Sequence, residues 1–170
     1  MHRIGLMIVV LCVAGLGFAA RSQSVNPPQT PAPPSTAAQE LPKSYVPGLG
    51  EFMGRIQVDH AKLWLAGEAR NWDLADYELT ELKEVFSDVQ DFVPRYQNIP
   101  VGDMIDAIIT GTMADLDKAI SARDFKAFST AFDALTSACN SCHQAASRPF
   151  ITIRRPAQSS FSNQDFAPKK

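Results

Sequence analysis

Cys139, Cys142 and His143 stand in the run Cys139-Asn140-Ser141-Cys142-His143, the spacing C-x-x-C-H. On a helix, positions i, i+3 and i+4 share one face, so two thiols and an imidazole would project together from a single turn. This is the spacing at which haem is attached covalently: each thiol closes a thioether on a vinyl group, and the imidazole lies over the iron. Two other chemistries use a C-x-x-C pair. Half of a zinc site needs two further Cys or His ligands, and the chain offers only Cys12, inside an apolar leader, with His2 and His60. A thioredoxin-like redox pair belongs at a strand-to-helix junction in a βαβ pattern, and the chain lacks that pattern. Covalent haem attachment is therefore the chemistry the residues favour.

The rest of the chain must place that turn. Met1-His2-Arg3 precedes Ile4 to Ala20, almost all apolar and closing on Gly17-Phe18-Ala19-Ala20. These are the charged start, apolar middle and small-residue end of a secretory signal, so residues 1–20 are expected to be cleaved on export to the periplasm. The alternative is an uncleaved leader that anchors the protein to the membrane facing the periplasm, since the apolar run is at the short edge of what spans a bilayer. Export suits the chemistry, because haem joins such thiols outside the bacterial cytoplasm, in compartments where they must be kept from closing on each other. Residues 21–47 are rich in Pro, Ser, Thr, Ala and Gln, including Pro27-Pro28 and Pro31-Ala32-Pro33-Pro34, and read as a linker without a core of its own.

Residues 48–148 are enough for one domain with one core. Leu49, Phe52, Ile56, His60 and Leu63 recur at helical spacing and end near Gly67. After Asn71-Trp72-Asp73, a second stripe of Leu74, Tyr77, Leu79, Leu82, Val85, Phe86 and Val89 runs to Pro94. Pro100 precedes a third, of Met104, Ile105, Ile108, Ile109, Met113, Leu116 and Ile120. Asp124 is a plausible cap for the last helix, whose face carries Phe125, Phe128, Phe132, Leu135 and Cys139. Short connections imply antiparallel neighbours, so the expected fold is all-α: an antiparallel four-helix bundle with haem attached near the end of its last helix. Residues 149–170 form an extension beyond it.

At this point the chain resembles a known family. A four-helix bundle with C-x-x-C-H near the end of the last helix is similar to cytochrome c′ and its low-spin relatives of the c556 type, with the strongest local match over Ser121 to Ala146. The resemblance implies a monohaem c-type cytochrome with one covalently bound haem c, thioethers at Cys139 and Cys142, and His143 as the proximal iron ligand. It does not account for the extension, which includes Phe150-Ile151-Thr152-Ile153 and Arg154-Arg155.

The family divides by the sixth iron position, filled by methionine in the low-spin branch and left open to small gases in the other. Met53 and His60 both lie within about 60° of Ile56 at about 100° per residue, so both point into the bundle. They stand about 10 Å apart along the axis and cannot share one iron. An antiparallel first helix brings its beginning to the haem end of the last one, which favours Met53. Placing the family's helix-ending glycine on Gly67 and counting back also reaches Met53, whereas a shift of one or two turns would favour His60. Met104 and Met113 read as core. Arg55, Arg70, Arg148, Arg154 and Arg155 are candidates to pair the haem propionates, with Arg148 best placed by its nearness to His143.

The formal charge of −2 excludes a nucleic-acid binder. The acidic residues of the second helix, Asp73, Asp76, Glu78, Glu81, Glu84, Asp88 and Asp91, read as a solvated outer face, with steering of a basic redox partner as the functional alternative. The expected function is single-electron transfer between redox protein partners. A five-coordinate haem protein that binds nitric oxide or carbon monoxide is the rival, and a homodimer is left open. An enzyme such as a peroxidase is not expected, because no distal His and Arg arrangement stands out.

Overall fold

The computed structural model describes residues 45–169; the leader, Cys12 and most of the proline-rich linker lie outside the described residues. Five helices follow one another: α1 Leu49–Glu68, α2 Trp72–Phe92, α3 Val101–Ile108, α4 Thr110–Ser121 and α5 Phe125–Ala145. The described residues are all-helical apart from loops and a single isolated bridge between Tyr96 and Ile99. Among them no helix is long and apolar enough to cross a membrane.

Local chemistry sets the helix ends. At α1 the Glu51 carboxylate accepts from the Gly48 N–H at 2.9 Å and from the Tyr45 hydroxyl, satisfying a donor the first turn leaves free. Asn71 caps α2 through the Leu74 N–H, and Asp124 caps α5 through the Ala127 N–H at 3.1 Å, as its position predicts. Pro94 ends α2 just beyond Phe92, and its carbonyl accepts from the Gly102 N–H of α3.

The third stripe is one run in the sequence but two helices in the structure. Ile109 keeps helical dihedrals and its N–H still reaches Ile105, yet its carbonyl is shared among the Thr112 hydroxyl at 2.7 Å, the Thr112 N–H and the Met113 N–H. A threonine side chain that competes for a helix carbonyl bends the helix. Thr110-Gly111-Thr112 also supplies little intrinsic helix preference to resist it.

Three ion pairs and one amide–carboxylate hydrogen bond give the relative directions. Arg55 meets Glu81 and Lys62 meets Glu78, so α2 runs back along α1; Lys83 meets Asp117 and Gln90 meets Asp106, so α3 and α4 run back along α2. Phe128, Phe132, Leu63, Leu79, Leu82, Leu116 and Leu135 are fully buried where these faces meet. Gly67 owes its place to this contact. A Cβ there would lie 2.1 Å from Phe128 Cε1, so the ring of Phe128 on α5 packs directly on the backbone of α1.

Two readings of α2 need correction. Tyr77, counted in its apolar stripe, is 55% exposed, while Glu78, counted in its solvated face, is 2% exposed. Position 78 stands in helical period with Ala75 and Leu82, both buried, and its carboxylate is met by Lys62 of α1 and by Gln164.

Gln164 belongs to the extension. Residues 149–169 contain no helix or strand and lie against the helices: Phe166 is buried, its carbonyl accepts from Asn71, and Phe161 packs partly buried beside it.

Candidate functional site

Cys139, Cys142 and His143 occupy the last turns of α5, and all three line one cavity of about 430 Å3, inside the range of about 300–1,000 Å3 usual for small-molecule sites. Helical period brings the three together, as the spacing predicts. Both thiols are free. Cys139 is 9% exposed, and burial first, with the neighbouring Cys142 second, pushes its thiol up to about 12. Burial also raises Cys142. Among the described residues no three Cys, His, Asp or Glu side chains gather as ligands for a bare metal ion.

The His143 ring is held from the extension. Its Nδ1 lies 3.0 Å from the carbonyl oxygen of Ile151. A carbonyl only accepts, so Nδ1 carries a proton, and in the neutral ring Nε2 is the nitrogen left with its lone pair. Ligating histidines are commonly fixed in this way, by a carbonyl on the nitrogen the metal does not use.

The opposite wall comes from α1. Leu49, Met53, Ile56 and His60 line the cavity, with Phe86 of α2 and Ile105 and Met104 of α3 completing its apolar side. The pairs His60–Thr136 and Trp64–Phe132 show α1 running back along α5 in steps of four residues. Continuing those steps brings Met53 to the level of His143. His60 sits about 10 Å deeper along the helix, at about 1.5 Å per residue.

His60 is 3% exposed and already engaged. Its Nε2 lies 2.9 Å from the Thr136 hydroxyl, and its ring packs on Phe132 with centroids 4.4 Å apart. Thr136 donates its own proton to the Phe132 carbonyl, so its oxygen accepts from Nε2–H. Burial lowers the imidazole from 6.5 to about 4, which keeps it neutral at pH 7. His60 also borders a second cavity of about 460 Å3 between α1 and the extension.

Of the five arginines considered for propionates, Arg148 lines the first cavity. Arg55 is paired with Glu81, Arg70 lies over the Phe125 ring, Arg154 borders the second cavity, and Arg155 is paired with Asp133. Sequence reasoning missed three contributors. Met104, read as core, is only partly buried and lines the cavity, and Ile151 and Ile153 of the extension form part of its wall. No periodicity marks a coil segment that folds back, so nothing in the sequence pointed to these last two.

The donor set fits a covalently held porphyrin. Two thiols one turn apart open on an apolar cavity, an imidazole offers one nitrogen and has the other fixed, a thioether stands across from it, and a guanidinium lies near. The chain matches no protein-family model, and no solved structure matches it.

Proposed function

We propose that the chain is a monohaem c-type cytochrome that carries one electron at a time between redox proteins of the periplasm. The observation that supports it most is that Cys139, Cys142 and His143 open onto the same apolar cavity that Met53 lines from α1. In this reading Cys139 and Cys142 hold the porphyrin through thioethers, His143 Nε2 is the proximal ligand, and Met53 Sδ is the sixth. Haem supplies the one-electron chemistry; the protein holds the ligands in place, excludes water and sets the potential through the axial pair. The helices act as the proposed antiparallel four-helix bundle, with α3 and α4 serving as one bent segment.

Met53 is preferred over His60 for two reasons of geometry. It stands level with His143, and the Nε2 of His60 is already donating to Thr136. A thioether sixth ligand favours ferrous iron and raises the potential relative to a second imidazole. Arg148, on the cavity rim, is the proposed propionate partner.

The test is an optical spectrum of the purified protein, oxidised and reduced. A low-spin ferrous form with a covalently bound porphyrin is expected. A high-spin spectrum that shifts on adding carbon monoxide would replace electron transfer with gas binding, and a protein without haem absorbance would end the proposal.

A further inference from the structure

Asn140 sits between the two thiols, in a position the C-x-x-C-H pattern leaves free, and its side chain is committed. Nδ2 donates to the Ile153 carbonyl at 2.9 Å, and Oδ1 accepts from the Ile153 N–H at 2.8 Å. One primary amide thus satisfies both backbone groups of a single residue in the extension. Two residues earlier in the same segment is Ile151, whose carbonyl accepts from His143 Nδ1–H. In extended chain, carbonyls two residues apart point to the same side, and on α5 positions 140 and 143 share a face. The two contacts are therefore successive rungs between the extension and one helix. Arg155 makes the next rung toward the start of α5, pairing with Asp133 at 2.5 Å and the Ser129 hydroxyl at 2.9 Å, while its guanidinium lies 3.9 Å above the Trp64 ring.

Resting on the haem reading above, we infer that Asn140 is a positioning residue for His143, acting through the extension: by gripping Ile153 it holds the Ile151 carbonyl on the imidazole. A fixed acceptor on Nδ1–H makes Nε2 a better electron donor. Ferric iron gains more from that than ferrous iron does, so the extension lowers the reduction potential and fixes the plane of the ring. The segment beyond the helices then tunes the iron centre as well as covering the core.

The full-length matured protein is compared with Asn140→Ala, Asn140→Asp and Arg155→Ala. In wild-type protein labelled with nitrogen-15 histidine, the His143 Nδ1 proton is expected as a slowly exchanging resonance. In Asn140→Ala it exchanges faster, trypsin cuts sooner at the Arg154–Arg155 bond, and the ferric–ferrous equilibrium moves about tenfold toward ferrous, about 59 mV for one electron. Asn140→Asp keeps the acceptor for the Ile153 N–H and falls between. Arg155→Ala, which frees the segment from its next anchor, shifts the potential the same way by less. Covalent haem staining is unchanged throughout, which separates this inference from the haem reading: wild-type protein without stain defeats that reading. Stained Asn140→Ala with a faster-cut extension but an unchanged potential and Nδ1 proton overturns the inference, as does an unprotected Nδ1 proton in the wild type.

Discussion

His60 and Thr136 are joined across α1 and α5 by a hydrogen bond of 2.9 Å, and the imidazole is nearly inaccessible. Its pKa is held at about 4 because burial penalises the charged form. The unfolded chain, with an ordinary histidine near 6.5, takes up the proton first. This contribution to stability is therefore intact above about pH 6.5 and is lost progressively as pH falls toward 4. The full loss is about 3 kcal/mol, at about 1.4 kcal/mol per pKa unit. Asp59 and Glu78 act in the opposite sense, since burial raises both and they bind protons more readily folded than unfolded. Denaturant melts of wild type and His60→Phe at pH 7 and pH 5 isolate the histidine: the stability difference between the two proteins is expected to move in favour of the variant at pH 5. Equal differences at both pH values would show that His60 is not held neutral.

Replacing the thiols tests attachment. Cys139→Ala and Cys142→Ala are each expected to weaken or abolish thioether formation, because the described residues hold no other cysteine. Denaturing electrophoresis with haem staining reads the result directly. A stained band that persists in the double variant would refute the assignment.

Substitution at Met53 tests the proposed sixth ligand. If its thioether closes the sixth position, wild-type ferric protein has a weak long-wavelength sulfur-to-iron band and the ferrous form takes up carbon monoxide slowly. Met53→Ala is expected to become high-spin and to bind carbon monoxide quickly, and His60→Ala to keep the wild-type spectrum. Loss of the low-spin form in His60→Ala alone would make the centre bis-histidine, with a lower potential.

Gly67 offers a test of the packing independent of any cofactor. An exposed helical glycine changed to alanine gains up to about 1 kcal/mol from propensity. Here the added methyl would meet the Phe128 ring at 2.1 Å, so Gly67→Ala is expected to cost about 1–3 kcal/mol instead. Thermal melts check the sign, and in a Phe128→Leu background most of the penalty should disappear. A stabilised single variant would mean that the Phe128 ring does not pack so closely on the α1 backbone at Gly67.

What the sequence determined by itself is local. The turn carrying Cys139, Cys142 and His143 is set by the 3.6-residue period alone, and the Asp124 cap and the stop at Pro94 each depend on residues a few positions away. The apolar stripes of α1 and α5 were readable for the same reason, since repeating side chains report which face is buried. Tertiary structure decided everything that depends on a distant partner. Glu78 is inside and Tyr77 outside because Lys62 and Gln164 come to meet a carboxylate at position 78. The break at Ile109 falls where a threonine hydroxyl shares a helix carbonyl with the backbone donors, a balance that an apolar pattern does not register. His60 needed a partner on any reading, but only the approach of α5 supplies Thr136. The extension is the clearest case. Its contacts with Asn140, His143, Asp133 and Asn71 are made largely through backbone carbonyls and one guanidinium, and a backbone group is the same at every residue, so its destination is written in no local pattern and is settled only when the helices present the groups it satisfies.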